Sequence, residues 1–116
     1  MKKVLITGAS GFVGSFLVEE AIKQQLAQYQ QNNGKIDYII HNAGVTKVKR
    51  LDEFMKVNYE CTRNFVEALI ETDLIPDKYL QISSLAAYGP GNNNTLEPIK
   101  LCDTPRPNTE YCRSKL

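Results

Sequence analysis

Three glycines spaced three apart follow an apolar, β-branched run at the amino terminus. Lys3 to Thr7 leads into Gly8-Ala9-Ser10-Gly11-Phe12-Val13-Gly14. This G-x-x-G-x-x-G turn constrains the chain more than any other feature. Gly8 permits a tight turn out of a strand. Gly11 has no Cβ and lets a pyrophosphate approach the backbone, and Gly14 lets a following helix pack closely on the strand. The first N–H groups of that helix, those of Phe12 and Val13 with Ser10 nearby, would face the phosphates at the positive end of its dipole. Glycine spacing alone also describes a plain βα turn. The strand before it and the helical pattern after it give the spacing its meaning.

The rest of the chain repeats the strand–helix alternation. Ile36 to His41 and Tyr79 to Ser83 are two more short apolar runs. None of the three alternates apolar and polar residues, which predicts strands buried on both faces of a parallel sheet. Gly11 onward carries Val13, Phe16, Leu17 and Ala21 on one helical side. Asp52 to Thr72 carries Phe54, Val57, Cys61, Phe65, Ala68 and Leu69 at helical spacing, with Asp52 as cap and Ile75-Pro76-Asp77 as stop. Residues 89–108 hold four of the five prolines and three consecutive asparagines, a long irregular loop. Asn108 is then the expected cap of a last helix from Thr109. The class is α/β, a doubly wound parallel sheet.

Composition narrows the function classes. The chain has 116 residues, 14 Lys+Arg against 13 Asp+Glu, and a net charge of +1. That is one domain, 1–116, without the basic excess that nucleic acid or an anionic membrane attracts. No run approaches the ~18 apolar residues of a membrane span, and Val4-Leu5-Ile6 is too short for a signal peptide. Three cysteines, Cys61, Cys102 and Cys112, and one His show no metal-ligand spacing. A reduced, cytoplasmic protein without metal is the expectation.

At this point the sequence resembles the short-chain dehydrogenase/reductase superfamily, in particular its extended branch of NAD(P)-dependent epimerases, dehydratases and reductases. Thr7 to Gly14 is similar to that family's cofactor loop. His41-Asn42-Ala43-Gly44 matches its small-residue segment, and Val57-Asn58 with Asn64 its V-N-x-x-x-T-x-N stretch. Ser83-Ser84-Leu85-Ala86-Ala87-Tyr88-Gly89 resembles S-S-x-x-x-Y-G, and Tyr111-Cys112-Arg113-Ser114-Lys115 is Y-x-x-x-K. The resemblance implies a Rossmann-type fold and NAD or NADP as cofactor. It places Gly8, Ser10, Gly11, Phe12, Val13, Gly14, Asn42, Ala43, Gly44, Ile82, Ser83, Tyr111 and Lys115 around that cofactor. Ser84, Tyr111 and Lys115 become the catalytic candidates. The substrate is a secondary alcohol or ketone, in a nucleotide sugar or another small hydroxy compound. A carbonyl reductase of the dihydroflavonol-reductase or hydroxysteroid-dehydrogenase kind, and a dinucleotide-binding sensor without turnover, are the alternatives. Related enzymes dimerise through the helices matching residues 54–71 and 109–116, so a homodimer is expected, with Phe54, Leu69 and Ile70 as contact candidates.

The residue chemistry agrees with that assignment. Tyr111 and Lys115 stand i and i+4 and share a helix face. An ammonium near a phenol stabilises phenolate and brings proton transfer toward neutral pH. Ser84, just past a strand end, can hydrogen-bond a substrate oxygen. His41 reads as a core histidine, Cys112 as a packed thiol, and Lys47, Lys49 and Arg50 as a solvated run. Asn58 matches a family position that supports the site from an adjacent helix.

One feature conflicts with a simple helix after the glycine turn. At roughly 100° per residue, Ile22, Leu26 and Tyr29 fall opposite Val13, Phe16, Leu17 and Ala21. In the strand order 3-2-1-4-5-6, the three visible strands are 1, 4 and 5. Strands 2 and 3, with the residue that selects NAD or NADP, belong where the stripe jumps. These observations predict a break in the helix near residues 22–25 and a partial domain, with a substrate-binding region beyond Leu116.

Overall fold

The computed structural model describes residues 1–8 and 19–116. Three short strands form one parallel sheet in the order β1-β2-β3: β1 is Val4–Thr7, β2 Tyr38–His41 and β3 Lys78–Gln81. Val4 pairs with Tyr38 and Tyr38 with Lys78, so Thr7, His41 and Gln81 end level with one another. This is the neighbour relation expected for strands 1, 4 and 5 of a doubly wound sheet.

Their amino ends are pinned by charge. The Asp37 carboxylate accepts the Lys3 N–H at 2.7 Å and lies 3.4 Å from Lys2 Nζ. The Asp37 carbonyl accepts from Asp77 N at 2.9 Å, and Lys35 pairs with Asp77.

Helix α1, Glu19–Asn33, precedes β2. It passes through Ile22–Gln25 without interruption, so the expected break is not there. The stretch has no Gly or Pro and consists mostly of good helix formers, which makes it helical whatever flanks it. It stops at Gly34, whose φ of +68° suits a residue without Cβ and whose N–H bonds back to Gln30 O at 2.8 Å. Asp52 to Glu71 is continuously helical but not uniformly α. Helix α2, Asp52–Phe54, leads into a π-helical segment, Met55–Glu60, and then α3, Cys61–Glu71. Asp52 is not the cap. Leu51 holds that position without a side-chain bond, and Asp52 lies in the first turn, paired with Arg50 at 3.1 Å.

The α1 and α3 helices pack together over one face of the sheet. There Leu26, Ile36, Ile39, Phe65, Ala68, Leu69 and Leu74 form the core, with Leu5, Ile22 and Tyr29 against it. Burial on both strand faces was expected and is not found. Val4, Ile6 and Leu80 are about half exposed, and every residue of β3 is exposed. Only β2, central and flanked on both edges, alternates between half-buried and buried.

After β3, Ser84 caps a 3₁₀ turn, Leu85–Tyr88. The 89–108 excursion returns to its start, where Arg106 N donates to Tyr88 O at 3.0 Å. Helix α4, Glu110–Ser114, is capped by Thr109 rather than Asn108: the Thr109 side chain accepts from Cys112 N at 3.1 Å. Among the described residues, no helix is long and apolar enough to cross a membrane.

Candidate active site

The carboxyl ends of the strands carry a connected set of polar groups. Gly8 leaves β1 with φ +74°, the turn geometry its position predicted. A Cβ there would lie 2.8 Å from backbone atoms of Asn42 and Ala43, so the turn after β1 rests directly on the loop after β2. Buried His41 bridges inward. Its Nδ1 is 2.8 Å from Thr7 Oγ1 and its Nε2 3.1 Å from Thr62 Oγ1 on α3. Its ring stacks on Phe65 at 5.0 Å. Burial, and then the charge of Lys115, hold the imidazole pKa below its ordinary value. His41 is therefore a satisfied core histidine, as its position in the strand suggested.

Asn58 lies in the π segment, a departure from α geometry often found at functional sites. It is buried and saturated. Oδ1 accepts from Val45 N at 2.7 Å, while Nδ2 donates to Val45 O at 3.0 Å and to Ser114 Oγ at 2.9 Å. Ser114 Oγ in turn donates to Tyr111 O at 2.8 Å. One amide thus joins the loop after β2 to the helix that carries Tyr111 and Lys115.

Lys115 follows α4 directly. A Cβ at Gly44 would sit 2.8 Å from Lys115 Nζ and 2.9 Å from Asn58 Oδ1. The ammonium therefore reaches over the strand ends, at a residue with no side chain in the way. It is half-buried, and burial lowers its pKa. Among the described residues no carboxylate forms an ion pair with it. Such an amine over an open backbone position suits the hydroxyls of a cofactor ribose. These residues fit a dinucleotide.

The remaining candidates occupy the same end of the sheet. The Tyr111 ring meets Phe54 edge-on at 5.5 Å, which fixes its plane. Phe54, like Leu69, is buried within the chain and is not available for a dimer contact, whereas Ile70 is 59% exposed. Ser84 Oγ accepts from Ala86 N at 3.2 Å, which uses a lone pair and not its proton. Ser83 Oγ donates to Lys115 O, tying the end of β3 to the end of α4. Ile82 N bonds His41 O at 2.9 Å, and Asn42 and Ser83 are exposed. Ser84, Tyr111 and Lys115 share the region without a hydrogen bond among their side chains. Ser10, Gly11, Phe12, Val13 and Gly14 lie outside the described residues. Thr7, Thr62 and Ser114 were not singled out from the sequence. The Thr-Gly step at the end of the first strand was the available signal for Thr7.

A parallel sheet with its polar residues gathered at the strands' carboxyl ends places a ligand site where open α/β proteins have theirs. The chain belongs to the NAD dependent epimerase/dehydratase family, whose model matches residues 21–116. Membership brings the cofactor class, NAD or NADP. Three solved structures share the fold. RMD from Pseudomonas aeruginosa, complexed with NADPH, is 23% identical with a TM-score of 0.70, covering 99% of this chain and 46% of its own. UDP-N-acetylglucosamine 4-epimerase from Bacillus cereus is 22% identical with a TM-score of 0.64, covering 97% and 40%. ADP-L-glycero-D-manno-heptose-6-epimerase from Helicobacter pylori is 21% identical with a TM-score of 0.61, covering 98% and 48%. The chain thus spans less than half the length of each. No match was found among curated protein sequences.

Proposed function

We propose that this chain supplies the cofactor half of an NAD(P)-dependent oxidoreductase or epimerase/dehydratase acting on a secondary alcohol or ketone, with a nucleotide sugar as the substrate. The observation that carries this reading is the Lys115 ammonium facing Gly44 and Asn58 at the strand ends. Two of the similar structures are nucleotide-sugar epimerases by name, which supports the substrate class.

The nicotinamide, when bound, supplies the hydride chemistry. Tyr111 moves a proton at its phenolic oxygen, and Lys115 stands four residues further along the chain at the same end of the sheet. Ser84 donates its hydroxyl proton as a hydrogen bond to the reacting oxygen of the substrate. Asn58, through Ser114, fixes the helix on which Tyr111 and Lys115 stand. The phosphates belong to the glycine-rich segment Ser10 to Gly14, and Gly11→Val should abolish cofactor binding. Two copies associate through the helices at residues 54–71 and 109–116, with exposed Ile70 at the contact. Ile70→Lys should yield monomers in sedimentation.

Tyr111→Phe provides the main test on the full-length protein. NADH or NADPH affinity should stay within about threefold while turnover of UDP- and ADP-sugars falls by about a hundredfold or more. Unchanged turnover would reject the catalytic assignment of Tyr111, and a wild-type protein that binds NADH or NADPH without any turnover would favour the cofactor sensor.

A further inference from the structure

We propose that His41, in its neutral Nε2–H tautomer, is a positioning residue that holds the three cofactor-facing segments in register through one oriented hydrogen-bond chain. The inference rests on the cofactor reading above and deepens it.

The partners determine the direction of every proton. Thr62 Oγ1 donates its single proton to Asn58 O at 2.8 Å. It must therefore accept from His41 Nε2–H across 3.1 Å. With the ring neutral, Nδ1 carries no hydrogen and accepts the Thr7 hydroxyl at 2.8 Å. Thr7 Oγ1 in turn accepts the Ala43 N–H at 3.3 Å. The chain runs Ala43 to Thr7 to His41 to Thr62 to Asn58, each group donating onward.

Its members adjoin the segments that meet the cofactor. Thr7 precedes the Gly8 turn. Ala43 precedes Gly44, the position Lys115 overhangs. Asn58 clamps Ser114, the neighbour of Lys115. The ring is held flat between Phe65 at 5.0 Å and Tyr79 at 6.2 Å. A hydrophobic ring of similar shape could fill that slot but could not carry the chain.

Protonation would put a donor on Nδ1 facing Thr7. The Thr7 hydroxyl would have to turn away and find another acceptor, and the link from β1 to β2 would lose its direction. The one charged neighbour opposes the cation, while the stacked faces of Phe65 and Tyr79 favour it weakly. Lys115 from the α4 end is positive. Tyr79 on β3 has its phenol pKa raised by burial and stays neutral, and Thr7, Thr62 and Phe65 carry no charge. No carboxylate acts on the ring among the described residues.

The test uses the full-length protein, labelled with 15N at histidine, together with His41→Phe and His41→Asn. Without cofactor, the imidazole shifts at neutral pH should report Nε2–H. The wild-type NADH dissociation constant should rise about threefold or more between about pH 8 and about pH 5, tracking the His41 titration, while near-UV circular dichroism stays native. His41→Phe should bind about tenfold more weakly at neutral pH and show no acid limb. His41→Asn keeps an acceptor toward Thr7 and should recover part of the affinity, also without the limb. An Nδ1–H tautomer overturns the proposal, and so does an acid limb retained in His41→Phe or unchanged affinity in that variant. If His41→Phe fails to fold, the wild-type tautomer and pH profile still decide. A wild-type protein that binds neither NADH nor NADPH at any pH overturns the cofactor reading itself.

Discussion

At the level of single residues, Gly8 and Gly44 face their surroundings differently. Gly8 combines φ +74° with rigid backbone 2.8 Å from any added Cβ. Gly8→Ala should cost about 2 to 4 kcal/mol in urea denaturation, from left-handed strain plus a clash that nothing flexible can relieve. At Gly44 the obstruction includes the mobile tip of Lys115. Gly44→Ala should cost about 1 to 3 kcal/mol in the same assay, because the new methyl also presses on the hydrogen-bonded Asn58 amide, and should weaken NADH binding by displacing the ammonium. Asn58→Ala would leave Val45 N, Val45 O and Ser114 Oγ without their partner in a buried place. A loss of about 2 to 3 kcal/mol is expected, together with reduced turnover, because α4 is no longer anchored. Equal stability of Asn58→Ala and wild type would contradict the clamp.

Among the elements, α1 and the π segment carry the consequences. Helix α1 is continuous through residues 22–25, so Gln25→Pro should destabilise by about 3 kcal/mol. A break in the helix at that place would have made the substitution nearly silent, and thermal denaturation separates the two. The stripe of Ile22, Leu26 and Tyr29 that seemed misplaced faces the core beside Ile36 and Phe65. The residues it opposed, Val13, Phe16 and Leu17, lie outside the described part. The π segment turns Asn58 inward between two α-helical stretches. Deleting exposed Lys56 to restore α register should keep the helical circular dichroism signal and abolish the Asn58–Ser114 bond, seen as lost protection of the Val45 amide in hydrogen exchange.

For the whole molecule, stability should depend on pH in three windows. The folded-state pKa of His41 lies below its ordinary 6.5. As pH falls below about 6.5 the unfolded chain takes up the proton first, so stability drops until the folded pKa is passed. Asp37 is lowered from 3.8 mainly by the Lys3 N–H, and Asp77 mainly by its bond to Lys35. Their contribution is present above 3.8 and is lost as pH falls through the lowered values. Lys115 is lowered from 10.5 by burial, so stability should rise as pH rises through its folded pKa toward 10.5. Urea midpoints across pH should show the first decline in wild type but not in His41→Phe. Lys115→Met should raise the midpoint at neutral pH while it impairs turnover, since it removes the cost of burying a charge that function retains.

The sequence by itself determined the parallel α/β class, the order of its three strands and the turn at Gly8. The class and the turn rest on local rules, namely apolar runs of strand length, helical periodicity and a backbone angle that only glycine adopts cheaply, and the strand order follows from the doubly wound topology they imply. The continuity of α1 was also written locally, in a run of helix formers, and was misread because a topological argument overrode it. Only the tertiary structure decided which faces are buried. β1 and β3 have the apolar composition of two-sided strands, but α1 and α3 cover a single face, and composition cannot say what a strand packs against. It also decided the helix caps, since Thr109 and Asn108 are equally good candidates in sequence and differ in which oxygen reaches Cys112 N. The same holds for the hydrogen-bond chain. Thr7, His41, Asn58, Thr62 and Ser114 span more than a hundred positions of chain; the Thr62–Asn58 bond is local to one helical turn, but the contacts of Thr7, His41 and Ser114 come from strand register and helix packing, which no local pattern encodes.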